Sequence, residues 1–179
     1  MTALTGVPWP PPTQLGERIR LRAAGDLDRK ALIELLTSEP ARRHLGGPLS
    51  PVDAEQAMRG ALGHVAGSFV AVRVSDGEFL GTVGFDRRDR GRPGHLSPDG
   101  GELEVSYTFS PKHWGQGLAT ESLRLALRWA TDTVPDDPVV ACTQATNVAS
   151  LRLLRRLGFV EIDQFTEFGA DQILLTCSL

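Results

Sequence analysis

A glycine-rich turn constrains this chain more than any other feature of its sequence. The stretch Ser110 to Ser122, SPKHWGQGLATES, follows an alternating apolar segment that predicts a strand and precedes a long apolar segment with helical spacing. The first N–H groups of a helix have no partner within the helix and lie at the positive end of its dipole. Gly115 and Gly117 keep that end free of Cβ atoms. The turn therefore predicts a main-chain site for an anion such as phosphate, with a turn that only reverses the chain as the alternative.

The residues after the second glycine narrow the kind of phosphate site. A nucleotide P-loop continues with Lys and then Ser or Thr, whereas this chain continues with Leu118, Ala119 and Thr120. The longer glycine spacing of a dinucleotide-binding turn does not occur either. We therefore expect a pyrophosphate held by main-chain N–H groups, without hydrolysis of a terminal phosphate.

Composition excludes several classes of partner. The chain has 179 residues and a formal net charge of −3, so it offers no overall positive field that would concentrate nucleic acid or an anionic membrane. Its two cysteines, Cys142 and Cys177, have no metal-ligand spacing and are too few for a disulfide framework. No apolar run is long enough to span a bilayer, and the first residues do not have the pattern of an export signal. We expect a cytoplasmic protein with no nucleic acid, membrane or metal partner.

The first half of the chain begins with a proline cluster. These prolines, between residues 8 and 12, predict an extended or mobile lead-in over residues 1–14, followed by a single domain over residues 15–179. After the lead-in, the apolar spacing predicts a strand and then two helices, the second of them capped by Ser50.

The remaining segments complete a mixed α/β sheet. Asp76-Gly77 predicts a hairpin turn between two strands, and the aperiodic residues 86–101 predict a long mobile loop. The glycine turn connects the next strand to a helix. A strand, a short helix ended by Gly158 and a final strand follow, which gives an α/β fold class.

Four segments, taken together, resemble one known family. Trp114, Gly117 and Ala119 match the pyrophosphate loop of the GNAT superfamily of N-acetyltransferases, in the form found in its ribosomal-protein alanine acetyltransferase branch (RimJ/RimL-like). The segment NVASLRLLRRLGF is similar to the Asn-x-x-Ser start and Leu-Gly-Phe end of a second motif of that branch. The opening ERIRLRAAGDLD and the strand EVSYTFSP also fit, so the resemblance spans about residues 15 to 179.

The resemblance implies a fold and a cosubstrate. The fold is a twisted, mostly antiparallel sheet with flanking helices, whose splayed central strands hold acetyl-CoA in the cleft between them. The main chain of Phe109 would pair with the pantetheine arm. The implied acetyl-CoA site comprises Phe109, Trp114, Gly115, Gln116, Gly117, Leu118, Ala119, Thr120, Asn147 and Ser150.

The resemblance also implies a reaction. The acetyl group would move directly to a primary amine in a ternary complex, and the acceptor would be a protein N-terminus or a small molecule. Transfer of another acyl group such as succinyl, and binding of acyl-CoA without catalysis, are the alternatives. The implied enzyme needs no metal, and a homodimer is one possible assembly.

Three residues are candidates for the catalysis. Many members of the superfamily use a Tyr of the second motif as general acid, but Leu154 stands at that position, and the resemblance points instead to Ser150 beside Asn147. A capping or packing role for Ser150 is the alternative, since Asn147 can cap the helix by itself. Glu104, on one face of its strand with Glu102, is the candidate base, with a solvated strand face as the alternative.

Two arginine-rich segments, about residues 42–60 and 85–101, are expected to contact the acceptor. Their arginines suit an anionic acceptor or a solvated loop. Cys142 lies in the strand run VVACT and is expected to be a small core residue, not a nucleophile.

Overall fold

The computed structural model describes residues 4–59, 63–134 and 138–178. The helices in these ranges are α1 Arg29–Leu36, α2 Glu39–Arg42, α3 Pro51–Met58, α4 Leu118–Thr133 and α5 Val148–Arg156. The strands are β1 Gln14–Leu15, β2 Ile19–Ala23, β3 Ser68–Arg73, β4 Phe79–Arg87, β5 Leu103–Phe109, β6 Val139–Gln144, β7 Val160–Glu167 and β8 Ala170–Cys177.

One sheet contains all these strands, in the order β1-β2-β3-β4-β5-β6-β8-β7. Every pair of neighbours is antiparallel except β5 and β6, which are parallel. The predicted α/β fold with a mixed, mostly antiparallel sheet is therefore confirmed.

Alternate side chains of the strands pack against helices on opposite faces of the sheet. Phe69 of β3 belongs to the main hydrophobic cluster with Leu123 of α4 and Leu151 of α5. Val70, the next residue of β3, packs instead with Leu32 of α1. The helices α4 and α5 thus cover one face and α1 covers the other. Full burial of a side chain such as Leu123 contributes roughly 1.5–3 kcal/mol to stability, so each face is held by several such contacts.

The proline-rich lead-in packs against the main core. Leu4 is buried in the main cluster, and the Trp9 ring meets Phe69 and Trp129 edge to face, at centroid distances of 5.2 and 6.2 Å. The Trp9 indole also donates to the carbonyl of Gly63 at 2.9 Å. The boundary at residue 15, which the prolines predicted, therefore does not mark the edge of the hydrophobic core.

The loop between β4 and β5 is tied to the sheet by two buried charged residues. Arg88 donates from Nε to the carbonyl of Gly94 at 2.6 Å and from Nη1 to Glu104 at 2.9 Å. Glu102 accepts from the backbone N–H of Leu96 at 2.6 Å. The expectation of a mobile loop rested on its glycines and prolines, and these side-chain contacts argue against it.

Several local predictions are confirmed and three elements were missed. Ser50 accepts from the N–H of Asp53 at 3.1 Å and so caps α3, and Gly158 follows α5 with a φ of +90°. The two-residue edge strand β1, the single-turn helix α2 and the edge strand β7 were not predicted. Most side chains of β7 are exposed, so the burial pattern that marks other strands is weak there.

Candidate active site

The centre of the sheet contains a cleft between β5 and β6. These two strands pair only at Leu103 with Val139 and at Glu104 with Val140. Beyond Glu104 they diverge, and each continues with its antiparallel neighbour on the outer side, β4 or β8. The helix α4 begins shortly after the open end of β5, and α5 begins shortly after the open end of β6. The expected splay of the central strands is therefore present.

The glycine turn leaves the start of α4 open. Gly115 and Gly117 have φ values of +74° and +75°, a left-handed conformation that side chains with a Cβ rarely adopt. Gly117 is the N-cap residue and has no side chain with which to cap the helix. A Cβ on Gly115 would meet nothing within 4 Å, and one on Gly117 would meet only Arg18 Nη2, at 3.5 Å. No side chain of the turn thus caps the start of α4, and the space beside both glycines is open, as an anion site requires.

An ion pair outside the turn fixes its position. Glu121 of α4 accepts from the backbone N–H and from Nε of Arg18, both at 2.8 Å, and Arg18 Nη1 donates to the carbonyl of Gln116 at 3.0 Å. Burial opposes the charge of Glu121, but the hydrogen bonds from Arg18 hold its pKa below the ordinary value. The sequence gave no sign of this contact, because Arg18 and Glu121 lie 103 residues apart.

Trp114 lies beside the end of β5. Its indole Nε1 donates to the carbonyl of Phe109 at 2.8 Å, and about half of the Trp114 side chain is exposed. The residue after Phe109, Ser110, donates its N–H to the carbonyl of Leu80 of β4 at 2.9 Å. Because main-chain groups alternate in direction along a strand, the N–H and carbonyl of Phe109 point away from β4 and toward the cleft. Trp114 therefore covers one of the main-chain groups that line the cleft.

Asn147 and Ser150 lie at the start of α5, on the other side of the cleft. The Asn147 side chain accepts from the N–H of Ser150 at 3.2 Å, so Asn147 is the cap and the Ser150 hydroxyl is not needed for capping. The Ser150 Oγ lies 2.6 Å from the hydroxyl of Tyr107 on β5. Burial raises the pKa of Tyr107 to about 12, against the opposing effect of the hydrogen bond with Ser150. Leu154, where many superfamily members have their acid, is buried.

Carboxylates lie where the two strands separate. Asp86 of β4 pairs in register with Glu104 of β5, so their side chains share one face of the sheet. Glu104 accepts from Arg88 at 2.9 Å and lies 3.7 Å from Arg92 Nη1. Burial, and then repulsion from Glu104, raise the pKa of Asp86 to about 6. The sequence singled out Glu104 but not Asp86, whose placement depends on the strand register.

Glu102 contacts the loop between β4 and β5. It precedes β5, is buried, and lies 2.7 Å from Nδ1 of His95. Burial opposes its charge, but hydrogen bonds from His95 and from the backbone hold its pKa below the ordinary value. Glu102 therefore anchors the loop, and its carboxylate is occupied by these contacts.

Cys142 lies on β6 and is partly buried. Burial raises the pKa of its thiol to about 11, so the thiol stays protonated at neutral pH and is a poor nucleophile. Among the described residues, no group of three or more His, Cys, Asp or Glu side chains could hold a metal ion. None of the described helices is both long and apolar enough to cross a bilayer.

Comparisons with known proteins agree on one family. The sequence model of the acetyltransferase (GNAT) domain matches residues 18–160. An acetyltransferase of the GNAT family from Bacillus anthracis superposes with a TM-score of 0.78 over 93% of this chain and 98% of its own, at 17% identity. Spermidine N-acetyltransferase from Vibrio cholerae, in complex with CoA and spermine, gives 0.73 over 90% of this chain and 96% of its own, at 16% identity.

A third solved structure is RimL, a ribosomal L7/L12 alpha-N-protein acetyltransferase. It gives a TM-score of 0.68 at 17% identity, over 97% of this chain and 95% of its own. At these identities the superpositions establish the fold, and the domain match establishes the family. The chain belongs to the GNAT acetyltransferase family.

Proposed function

We propose that this protein is an N-acetyltransferase that moves an acetyl group directly from acetyl-CoA to a primary amine within a ternary complex. The observation that carries this proposal is the cleft between β5 and β6, which opens beside the uncapped start of α4. A cleft of main-chain groups next to a main-chain anion site suits a ligand with a peptide-like arm and a pyrophosphate.

The acetyl-CoA site is proposed along one path through this cleft. Phe109 pairs its main chain with the pantetheine arm while Trp114 covers the same edge. The N–H groups from Gly115 to Thr120 hold the pyrophosphate, including those of Gln116, Gly117, Leu118 and Ala119. Asn147 and Ser150 face the thioester from the opposite wall.

The reaction moves one acyl group and one proton. The amine nitrogen attacks the thioester carbonyl carbon, the carbon–sulfur bond then breaks, the nitrogen loses a proton and the sulfur gains one. Ser150 is proposed to donate a hydrogen bond to the departing sulfur. Such acid or base assistance typically contributes about 10²- to 10⁴-fold to a rate. Direct transfer needs no nucleophile on the enzyme, in keeping with the protonated thiol of Cys142.

Glu104 remains the proposed base, acting through water, and Asp86 is its partner in this role. The two carboxyl groups differ in environment. Glu104 accepts a hydrogen bond from Arg88, whereas burial and repulsion from Glu104 raise the pKa of Asp86 to about 6. A base works best with a pKa near the operating pH, which favours Asp86 as the group that finally takes the proton.

The acceptor is proposed to be a primary amine on a protein N-terminus or a small molecule. Arginines of the two acceptor segments are engaged within the protein: Arg42 donates to the carbonyl of Gly47 at 2.7 Å, and Arg92 donates twice to Glu167 at 2.8 Å. With these contacts the segments give little support to an anionic acceptor. We place the reaction in the cytoplasm, where acetyl-CoA is available.

The deciding experiment measures free thiol released from acetyl-CoA with a panel of amines. The panel contains polyamines, amino sugars and peptides with a free N-terminus, and succinyl-CoA is tested as a second donor. We expect acceptor-dependent thiol release with acetyl-CoA, and mass spectrometry should find the acetyl group on nitrogen. Tight acetyl-CoA binding without thiol release for any amine would favour a noncatalytic binding protein, and preference for succinyl-CoA would correct the donor.

A further inference from the structure

The two walls of the cleft are joined by a pair of hydroxyl groups. Tyr107 comes from β5 and Ser150 from α5, and their oxygens lie 2.6 Å apart. This inference rests on the function proposed above. We propose that Tyr107 is a positioning residue for Ser150: the phenol donates a hydrogen bond to Ser150 Oγ, which leaves the Ser150 hydroxyl free to donate its own hydrogen bond to the departing sulfur.

Counting protons supports this direction of the hydrogen bond. Each hydroxyl has one proton to donate, and only one of the two can lie between the oxygens. Among the described residues, Ser150 is the only recorded hydrogen-bond partner of the Tyr107 hydroxyl. Donation by Ser150 would leave the phenolic proton, on a ring that packs against the main core, without a protein partner. A phenol is also a stronger acid than an aliphatic alcohol, so it is the better donor of the pair.

The role is to position and polarise a hydroxyl, not to transfer the phenolic proton. Burial raises the pKa of Tyr107 to about 12, so the phenol remains neutral throughout the reaction. A neutral phenol that donates to Ser150 makes the Ser150 hydroxyl a stronger donor in turn, because hydrogen bonds in a chain polarise one another. The charge that develops on sulfur is then stabilised by a donor whose orientation is already fixed.

The surrounding residues explain why the phenol comes from β5. Leu154 lies one helical turn after Ser150, on the same side of α5, and is 1% exposed. A Tyr at residue 154 would have to place its ring in the main core. Tyr107 reaches Ser150 from the opposite wall, and its ring packs against the same core cluster.

Kinetic coupling between the two residues tests the proposal. The variants Tyr107→Phe and Ser150→Ala and the double variant are compared by single-turnover acetyl transfer at saturating acceptor, with acetyl-CoA Kd from calorimetry. Ser150→Ala should lower the rate by about 10², and Tyr107→Phe by roughly tenfold, the factor that one hydrogen bond is worth. The double variant should be no slower than Ser150→Ala, because Tyr107 acts through Ser150.

Controls separate this role from a structural one. Ser150→Thr keeps a hydroxyl and should restore the dependence on Tyr107. Thr131→Val removes a hydroxyl that donates to the Leu127 carbonyl at 3.0 Å within α4, and should change neither rate nor Kd. A rate for Tyr107→Phe equal to that of the wild type, or multiplied losses in the double variant, would overturn the proposal. Absence of turnover in the wild type would instead count against the proposed function.

A second measurement does not require turnover. Tyr107 is the only tyrosine of the chain, so the Raman doublet of the tyrosine ring reports on this hydroxyl alone. We expect the doublet of a hydrogen-bond donor in the wild type and a clear change of its intensity ratio in Ser150→Ala. The doublet of an acceptor in the wild type, or an unchanged doublet in Ser150→Ala, would show that the phenol does not donate to Ser150.

Discussion

The carboxylate of Glu121 accepts two hydrogen bonds from Arg18, one from its backbone N–H and one from its Nε, each at 2.8 Å. This contact joins the start of β2 to the first turn of α4. Nη1 of the same guanidinium donates to the carbonyl of Gln116. Three hydrogen bonds therefore fix the position of the glycine turn relative to the sheet.

Glu121→Gln should loosen the turn and weaken cofactor binding. The amide keeps one acceptor but turns its NH₂ group toward a donor of Arg18, so one of the two contacts is lost. We expect the acetyl-CoA Kd, measured by calorimetry, to rise about three- to tenfold, the effect of about 1 kcal/mol. Glu34→Gln, which alters an exposed pair with Lys30 at 4.0 Å, is the matched control and should leave Kd unchanged. An unchanged Kd in Glu121→Gln would show that the turn holds its shape without this contact.

Fragments of acetyl-CoA that keep the pyrophosphate should bind more tightly than fragments that lack it. If main-chain N–H groups at the glycine turn supply most of the affinity, desulfo-CoA competes well with acetyl-CoA while pantetheine competes weakly. Gly117→Val should abolish the advantage of desulfo-CoA, because Val disfavours the φ of +75° at that position. Competition calorimetry measures both. Equal competition by the two fragments would assign the affinity to the pantetheine groove.

The pH dependence of the rate should follow Asp86. A base must be deprotonated to accept a proton, so kcat/KM should rise with pH through a pKa of about 6. In Asp86→Asn this inflection should disappear and the plateau should fall. The measurement is a profile of kcat/KM from about pH 5 to about pH 8, with Glu104→Gln for comparison. An inflection that persists in Asp86→Asn and vanishes in Glu104→Gln would make Glu104 the final proton acceptor.

Stability should depend on the same carboxyl with a defined sign. The folded protein raises the pKa of Asp86 from 3.8 to about 6, so the folded state binds this proton more tightly than the unfolded state does. The contribution of Asp86 to the free energy of unfolding is fully present below 3.8, the pKa in the unfolded state, and is lost as the pH rises through about 6. Asp86→Asn should therefore raise Tm at neutral pH, by a free energy of about 1 kcal/mol after solvent screening, and have little effect near ~pH 4. A lower Tm at neutral pH would contradict the assigned shift.

Arg88→Met should release the loop between β4 and β5. The substitution removes the donors to the carbonyls of Gly94 and Pro93, and it leaves the Glu104 carboxylate with the more distant Arg92. Breaking a buried ion pair by removing one partner typically costs about 3–5 kcal/mol. Denaturant unfolding measures this loss, and limited proteolysis should cut the loop faster. Arg90→Met, an exposed change in the same loop, serves as the control; equal stability of the two variants would mean that Arg88 does not fasten the loop.

Local rules predicted the parts of the site that are local. The turn at Gly115 and Gly117 and the Asn147 cap each depend on a few neighbouring residues, and both follow from the chemistry of helix ends. The pairing of Tyr107 with Ser150 joins residues 43 positions apart, and no periodicity encodes it. Predicting that Tyr107 faces the cleft would have required the register of β5 with its neighbouring strands, which the sequence does not give.

Two residues were predicted wrongly from their neighbours in the sequence. Arg88 lies in a segment whose composition is typical of a solvated loop, yet it is 1% exposed because carbonyls and a carboxylate surround it. Trp9 was assigned to a lead-in because prolines flank it, although its ring packs with Phe69. In both cases tertiary packing overrode what the neighbouring residues suggested.

Because β5 and β6 pair at only two residues, the sheet consists of two parts that are joined by a short parallel ladder. Within the described residues, the main chain of β5 beyond Glu104 that faces the cleft finds no strand partner on β6. A bound pantetheine arm would act there as a temporary strand and complete the ladder. Ligand binding would then protect amide hydrogens of β5 from exchange and raise the cooperativity of unfolding, so the cosubstrate would serve as a removable element of the fold.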